Sequence, residues 1–481
     1  MNELMLCAKE NGSSLLLWSE RIDFHMKTTG FRSFILYILT AVFLGCMGFF
    51  LFELFTQGGE WAMQPYNQHL VAGGQMTWAG TISDRNGEIL VGSEDGVRSY
   101  NSDAGIREAT VHTVGDKHGY ISTGIQLVYR PQLVGYNPIF GITTITGNSG
   151  GGNISLTIDS SLCETAMELL GSRKGAVILY DYTTGDILCK VSTPTFDPEN
   201  IPDDIDTNDQ YKGAYLDRTI SSSFTPGSTF KVVTAACAIE NLSDWDSRTY
   251  TCTGSTIING EEITCMGQHG EIGLEAALGN SCNIYFAELA ADLGKDAMTE
   301  TANEMGFNQA QKLDEIVVSA STYDVSEADE NALAWSGIGQ YTTLVTPYHM
   351  MRIMGAIAND GTPVEPHLVS SMSGSGLNDY SAKVETGEQM MPENVAKALQ
   401  NLLRSNVENY YRSDMFPSEL QVCAKTGTAE VGGDKEDTGW VAGYCANPET
   451  PYAFAVVVEE GGFGSSSAAP IASQLLQQLA G

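Results

Sequence analysis

The sequence predicts an α+β ectodomain, an antiparallel sheet with helices preceded by a small β-rich segment, tethered by one N-terminal transmembrane helix. Three observations predict it. Residues 33–52, SFILYILTAVFLGCMGFFLF, are uncharged and mostly apolar. Strand-like runs stand at both ends of residues 153–481 with helix-like stretches between, which suits one sheet joining both ends of that segment. Residues 57–152 are Gly-rich, acidic and broken into short strand-like runs.

The apolar run comes first. At 1.5 Å per residue it spans a bilayer core of about 30 Å. A cleavable signal peptide would be shorter and would end in a small-x-small site, whereas Glu-Leu-Phe-Thr-Gln-Gly-Gly follows here. We therefore set an uncleaved anchor at 33–55. Lys27 and Arg32 flank its N-terminal side and no base follows nearby, so residues 1–32 read as a cytoplasmic tail and the remainder as extracytoplasmic. The expected location is the cell membrane, single-pass. The formal charge is −34, and residues 1–33 carry four acids against four bases. The excess therefore lies outside the membrane and excludes nucleic acid as a partner, because phosphate backbones need basic patches.

After the anchor, GTISDRNGEILVG reads as a hairpin turning on Asn86-Gly87, and HGYISTGIQLVYRPQLVGYN as a further strand-like run. Residues 57–152 form a non-catalytic pedestal or dimerisation-like domain, closed by the Gly/Thr/Asn-rich boundary GITTITGNSGGGN. From residue 153 the pattern changes. ISLTID is a strand, SSLCETAMELLGS a helix, and GAVILYDYTTGDILCKVS a hairpin over Thr183-Thr184-Gly185. A Pro/Asp-rich loop covers 194–209. The chain closes on ELQVCAKTGTAE, GWVAGYCA and YAFAVVVEEGG, then the helix AAPIASQLLQQLA. No internal repeat is present.

Six of the ten cysteines, Cys46, Cys163, Cys189, Cys237, Cys423 and Cys445, sit singly in apolar runs and read as small core residues. Cys252 and Cys265 flank a hairpin turning on Asn259-Gly260, which brings them near each other. Either a disulfide, permitted outside the cytoplasm, or two free thiols fits. No metal-ligand spacing appears, and no metal or cofactor is expected.

The chemistry starts at Pro226-Gly227-Ser228-Thr229-Phe230-Lys231. From Val232 the chain is apolar on every face, so the helix is buried and an ammonium at its head is costly. Of thirteen lysines, only Lys231 has serine three residues before it. That spacing puts Ser228 and Lys231 on one helix face. Burial and the positive end of the helix dipole both favour the neutral amine, which takes the serine proton and makes a nucleophile. The same helix start offers backbone N–H groups to an oxyanion. A snorkelling surface lysine is the plainer alternative. Ser281-Cys282-Asn283, just before a helix, supplies polar neighbours for Lys231 and a proton route; as an alternative, Ser281 is only an N-cap. Lys425-Thr426-Gly427-Thr428 lies on a strand whose hydroxyls, lysine and bare glycine backbone suit an extended peptide carrying a carboxylate. Its plainer reading is an edge strand guarded by a lysine.

In this order, Ser228-x-x-Lys231, Ser281-x-Asn283 and Lys425-Thr426-Gly427 resemble the signature set of the penicillin-binding protein and serine β-lactamase superfamily. PGSTFK, HGEIGLEAALGNSCN, SGIGQYTTLVTPYHM and KTGTAE are similar to stretches of the monofunctional, class B penicillin-binding proteins, and the likeness covers about residues 60–481. Three places depart from the family pattern: Ala79 where Arg is usual, Tyr341 where Gly is common, and the short segment 434–440. The resemblance implies a D,D-transpeptidase that cross-links peptidoglycan stem peptides and is acylated by β-lactams. It assigns catalysis to Ser228, Lys231, Ser281, Asn283 and Lys425, and substrate binding to Thr426, Gly427 and Thr428. The oxyanion would sit between the N–H groups of Ser228 and Thr428. The partner it implies is a polytopic membrane glycan polymerase. A D,D-carboxypeptidase or β-lactamase, and a membrane-anchored β-lactam receptor, share the motifs and stay as alternatives.

Overall fold

The computed structural model describes residues 2–62, 71–72, 75–76, 79–94, 97–137, 141–142, 151–374, 379–432 and 435–481. The chain divides into two units, residues 1–67 with 138–141, and the remainder. In the first, one helix runs Asn2–Ala62 without a break between the expected tail and anchor. Within it Thr29–Gly58 is long and apolar enough to cross a bilayer, and none of its most apolar stretch is buried.

The second unit is built on a five-stranded antiparallel sheet in the order Ile187–Thr193, Gly175–Asp181, Tyr452–Val458, Thr438–Cys445, Val422–Ala429. The sheet thus joins early and late segments, as the strand pattern predicts. The runs GAVILYD, TGWVAGYC and YAFAVVV are buried almost throughout, which fits strands covered by helices on their faces. Pro347–Ala358 and Ala469–Ala480 both pack on the two central strands Thr438–Cys445 and Tyr452–Val458. Val422–Ala429, which carries Lys425 to Thr428, is an edge strand.

A second, six-stranded sheet mixes segments from both sides of residue 152. Its order is Tyr380–Ser381, Val369–Ser373, Asn153–Leu156, Ile82–Ser83, Ile89–Glu94, Val97–Tyr100, and Ile82–Ser83 runs parallel to Asn153–Leu156. The expected hairpin over Asn86-Gly87 forms, with Gly87 at φ +83. Its Asp84 carboxylate accepts from the N–H groups of Asn86 and Glu88 and from the Ser160 hydroxyl at 2.8 Å, tying this turn to the helix Ser160–Leu170. Arg107 grips Asp197 at 2.6 Å and Lys117 grips Glu199 at 2.5 Å, so this part of the chain is fastened to the loop 194–209. The stretch read as strand-like, HGYISTGIQLVYRPQLVGYN, instead holds two short helices, Ile125–Val128 and Arg130–Leu133, with only Tyr136–Asn137 in a strand, and Ala104–Val114 precedes it. Pro131 in the first turn of its helix explains the reversal, since proline is pre-set for a helix start and cannot donate to a ladder. Most of the glycine-rich boundary, 143–150, lies outside the described residues.

A finger of strands projects the remaining hairpin. Thr249–Cys252 pairs with Gly270–Gly273 and encloses Ser255–Ile258 paired with Glu261–Thr264. Asn259 and Gly260 both have positive φ, +51 and +84, the backbone a two-residue type I′ turn requires.

Candidate active site

Gly227–Thr229 forms a single 3₁₀ turn that runs into the helix Lys231–Asn241. In such a turn residues three apart lie over one another, which suits the Ser228–Lys231 spacing. Ser228 is half-buried, and every residue from Lys231 to Ile239 is buried. Gly227 makes the turn possible. Its φ is +52, its N–H donates to the Gly339 carbonyl at 3.0 Å, and an added Cβ would lie 2.3 Å from the Thr428 carbonyl oxygen. Gly227→Ala should therefore lower stability by about 1–3 kcal/mol or more, through overpacking and positive-φ strain together. A melting temperature equal to the parent's would refute this account of the turn. Tyr341 stands close by in sequence to Gly339 with φ +63, so the family's usual glycine at that position has a backbone reason.

Lys231 is fully buried, so the snorkelling alternative is excluded. Its Nζ donates to the Ser281 carbonyl at 2.7 Å, to Asn283 Oδ1 at 2.8 Å and to Ser281 Oγ at 3.2 Å. Burial pulls its pKa down to about 7, partly offset by the nearby thiols of Cys282 and Cys265. A lysine so tuned is neutral in a substantial fraction near neutrality. If the neutral amine is the base, the acylation rate rises with pH up to about 7 and levels off above, because the protonated form below cannot accept the serine proton. A stopped-flow pH profile that stays flat from pH 5 to 8 would contradict it.

Ser281 sits at φ +56, in the left-handed region, just before the N-cap Cys282 of the helix Asn283–Glu304. The N-cap is therefore Cys282, whose Sγ accepts from the Tyr285 N–H, and not Ser281. A non-glycine residue in that conformation costs about 1–3 kcal/mol and persists only where its surroundings hold it. The helix breaks at Gly294 (φ 79, ψ 167). Lys425 is also fully buried, and its Nζ donates to Ser281 Oγ at 3.1 Å and to the Thr426 carbonyl at 2.8 Å. Burial, and then the charge of Lys231, push its pKa well below the ordinary lysine value. One hydroxyl, that of Ser281, thus bridges two lysines from two distant segments. Among the described residues no carboxylate bonds to Lys231, Ser281, Asn283 or Lys425.

On the edge strand, Thr426 and Thr428 are half-buried while Lys425 and Gly427 are buried, the alternation of a strand with one face open. The Thr426 N–H donates to the Tyr411 hydroxyl at 2.9 Å, so it faces away from the neighbouring strand. By the two-residue period of a strand, the N–H of Thr428 faces the same way. Gly427 also admits a neighbour from within the chain. A Cβ there would lie 2.9 Å from Thr229 Cγ2 and 3.0 Å from the Pro226 carbonyl, so the missing side chain admits the serine turn. Tyr411, half-buried at this strand, was missed by sequence reasoning; only the pair Tyr410-Tyr411 hinted at it.

Four side chains of metal-ligating type come together where no spacing in the sequence announced them. Cys252, Cys265, His269 and Cys282 bring their ligand atoms within 4.8 Å of one another. The cysteines are unbonded, with Cys265 Sγ 3.9 Å from Cys282 Sγ and 3.7 Å from His269 Nδ1. The finger brings Cys252 and Cys265 together as its turn predicts, but as free thiols joined by two further ligands. No short motif announces the set, because its members come from a strand end, two loop positions and a helix N-cap.

The family model for the penicillin binding protein transpeptidase domain matches residues 175–477. The chain belongs to that family. Peptidoglycan D,D-transpeptidase PbpA of Mycolicibacterium smegmatis is 30% identical over 388 residues, 73% of this chain and 78% of that protein. Peptidoglycan D,D-transpeptidase MrdA of Haemophilus influenzae is 25% identical over 367 residues, 68% of this chain and 56% of that one. Penicillin-binding protein A of M. tuberculosis, solved as a ceftriaxone acyl-enzyme complex, matches with a TM-score of 0.75 at 26% identity over 83% of this chain and 97% of that one. Every motif residue of this penicillin-binding protein, from Ser228 to Thr428, falls inside the matched transpeptidase region.

Proposed function

We propose that this penicillin-binding protein is a peptidoglycan D,D-transpeptidase whose nucleophile is Ser228. The observation that carries the reading is a fully buried lysine, three residues after a half-buried serine, held by the Ser281 and Asn283 side chains. Neutral Lys231 takes the Ser228 proton as Oγ attacks the penultimate D-Ala carbonyl of a stem peptide. The tetrahedral oxyanion lies between the N–H groups of Ser228 and Thr428. Collapse expels D-Ala, and the departing amine takes a proton from Lys231 by way of the Ser281 hydroxyl, which Lys425 also holds. An acceptor amine then attacks the ester, and Ser228 recovers its proton. Thr426 and Thr428 line the open strand edge, where the donor peptide adds as a further strand and Lys425 adds positive charge for its carboxylate. β-Lactams follow the same first step, in keeping with the acyl-enzyme structures of the mycobacterial relative.

A transpeptidase passes its acyl group to an amine where a carboxypeptidase or β-lactamase passes it to water. The absence of a carboxylate bonded to the motif residues, among those described, favours the amine. Incubating the full-length protein with a D-Ala-D-Ala donor peptide and rising acceptor amine tests this. The amide product should grow at the expense of the hydrolysed one, and a partition that ignores the amine would leave a hydrolase.

The long N-terminal helix acts as a membrane anchor, with residues 1–32 cytoplasmic and the sheet unit outside. Residues 57–152 raise the catalytic region toward the wall and, with the anchor, contact a polytopic glycan polymerase. Tethering the two sites raises the effective concentration of each for the other. Full-length protein alone should leave lipid-linked disaccharide-peptide unpolymerised yet cross-link the glycan once a polymerase is added. Polymerisation by the protein alone, free of contaminants, would remove the need for that partner.

A further inference from the structure

We propose that Cys252, Cys265, His269 and Cys282 bind one Zn²⁺, and that this ion holds Ser281 and Asn283 in place for the reaction at Ser228. Three sulfurs and an imidazole nitrogen are a closed, four-ligand set of the kind that suits structural zinc. A tetrahedron with Zn–S bonds of about 2.3 Å has S···S edges of roughly 3.8 Å. The Cys265–Cys282 separation is 3.9 Å and the Cys265–His269 Nδ1 separation 3.7 Å. Three cysteines cannot all pair in disulfides among themselves, whereas one metal uses all four groups. On binding, the three thiols release their protons to solvent and the imidazole binds through its neutral form.

The position of Cys282 gives the site its consequence. It is the middle residue of Ser281-Cys282-Asn283, so a metal bond to its sulfur fixes the backbone on both sides. Ser281 on one side is held at φ +56. Asn283 on the other gives Oδ1 to Lys231 and donates Nδ2 to the Thr264 carbonyl at 3.0 Å, next to the ligand Cys265. The finger is therefore joined to the motif by a hydrogen bond at Asn283 and by the metal at Cys282. Cys252 and His269 touch none of the reacting groups and act only through the ion, while Cys265 also accepts from the Asn283 N–H. They are positioning residues, and this half of the inference rests on Ser228 being the nucleophile.

The test uses full-length protein purified in detergent without chelator. Elemental analysis should find one zinc per chain, lost in Cys252→Ser and His269→Ala and kept in Cys252→His, which retains a ligand. Replacement by Co²⁺ should give the visible bands of a tetrahedral site together with thiolate-to-metal charge transfer. Chelation of the parent protein should slow acylation by penicillin by up to about 100-fold, the scale of a displacement near 1 Å, with the noncovalent binding constant changed far less. Added Zn²⁺ should restore the rate. Where Cys252→Ser fails to fold, chelation and refilling of the parent carry the test. A chain that neither retains nor takes up zinc, or a disulfide mapped between any two of the cysteines, overturns the site. Zinc that can be removed and restored with no change in acylation rate overturns its positioning role. Zinc content and the Co²⁺ spectrum are read without acylation, so their outcome is separate from that of the Ser228 assignment.

Discussion

Ser228→Ala protein gains no mass when incubated with penicillin, while the parent gains one penicillin per chain. The expected loss of turnover is on the order of a million-fold, the scale observed when the nucleophile of a serine hydrolase is removed. The change deletes one oxygen from a half-buried residue and leaves Gly227, which holds the turn, untouched. Unchanged melting behaviour should accompany the loss. An adduct retained on the variant would move the nucleophile elsewhere, and the other serine of the constellation, bonded to Lys231, is Ser281.

Lys231→Arg has the second largest expected effect. Arginine keeps the charge but does not give up its proton near neutrality. Acylation should slow by at least about 10²–10⁴-fold, the usual contribution of a general base. The rise of rate with pH toward about 7, which follows from the lowered pKa of Lys231, should vanish in the variant. The three acceptors around Nζ are arranged for a compact ammonium, and a planar guanidinium does not match them, so a thermal melt accompanies the kinetics. A near-parent rate from a folded variant would remove Lys231 from the base role.

Much of the catalytic constellation is legible in the sequence because its parts are local. An apolar helix headed by a charged residue announces Lys231, and the three-residue spacing adds Ser228. The anchor is legible for the same reason, as twenty uncharged residues in a row. The five-stranded sheet follows from apolar runs bounded by turn signals at both ends of 153–481. What the sequence hid depends on contacts between distant segments. Tyr411 caps the Thr426 N–H from fifteen residues away along an unremarkable stretch. That the Cβ position of Gly427 is filled by Thr229 and Pro226 is a second such contact. Residues 125–133 carry strand-formers but fold as short helices, where Pro131 and local packing override propensity. The Cys/His cluster was hidden most completely, since Cys252 and Cys282 are thirty residues apart and meet only because the finger folds back on the helix N-cap.

The mechanism requires a stem peptide carried as an ester on Ser228. Full-length protein is mixed with a D-Ala-D-Ala donor peptide, quenched in acid within a turnover, digested with trypsin and mapped by mass spectrometry. The account predicts that the peptide spanning residues 219–231 carries the donor less one D-Ala, and that an acceptor amine added before the quench removes it. A donor-derived adduct on any other peptide, or turnover of the donor with no covalent adduct at any quench time, would contradict it.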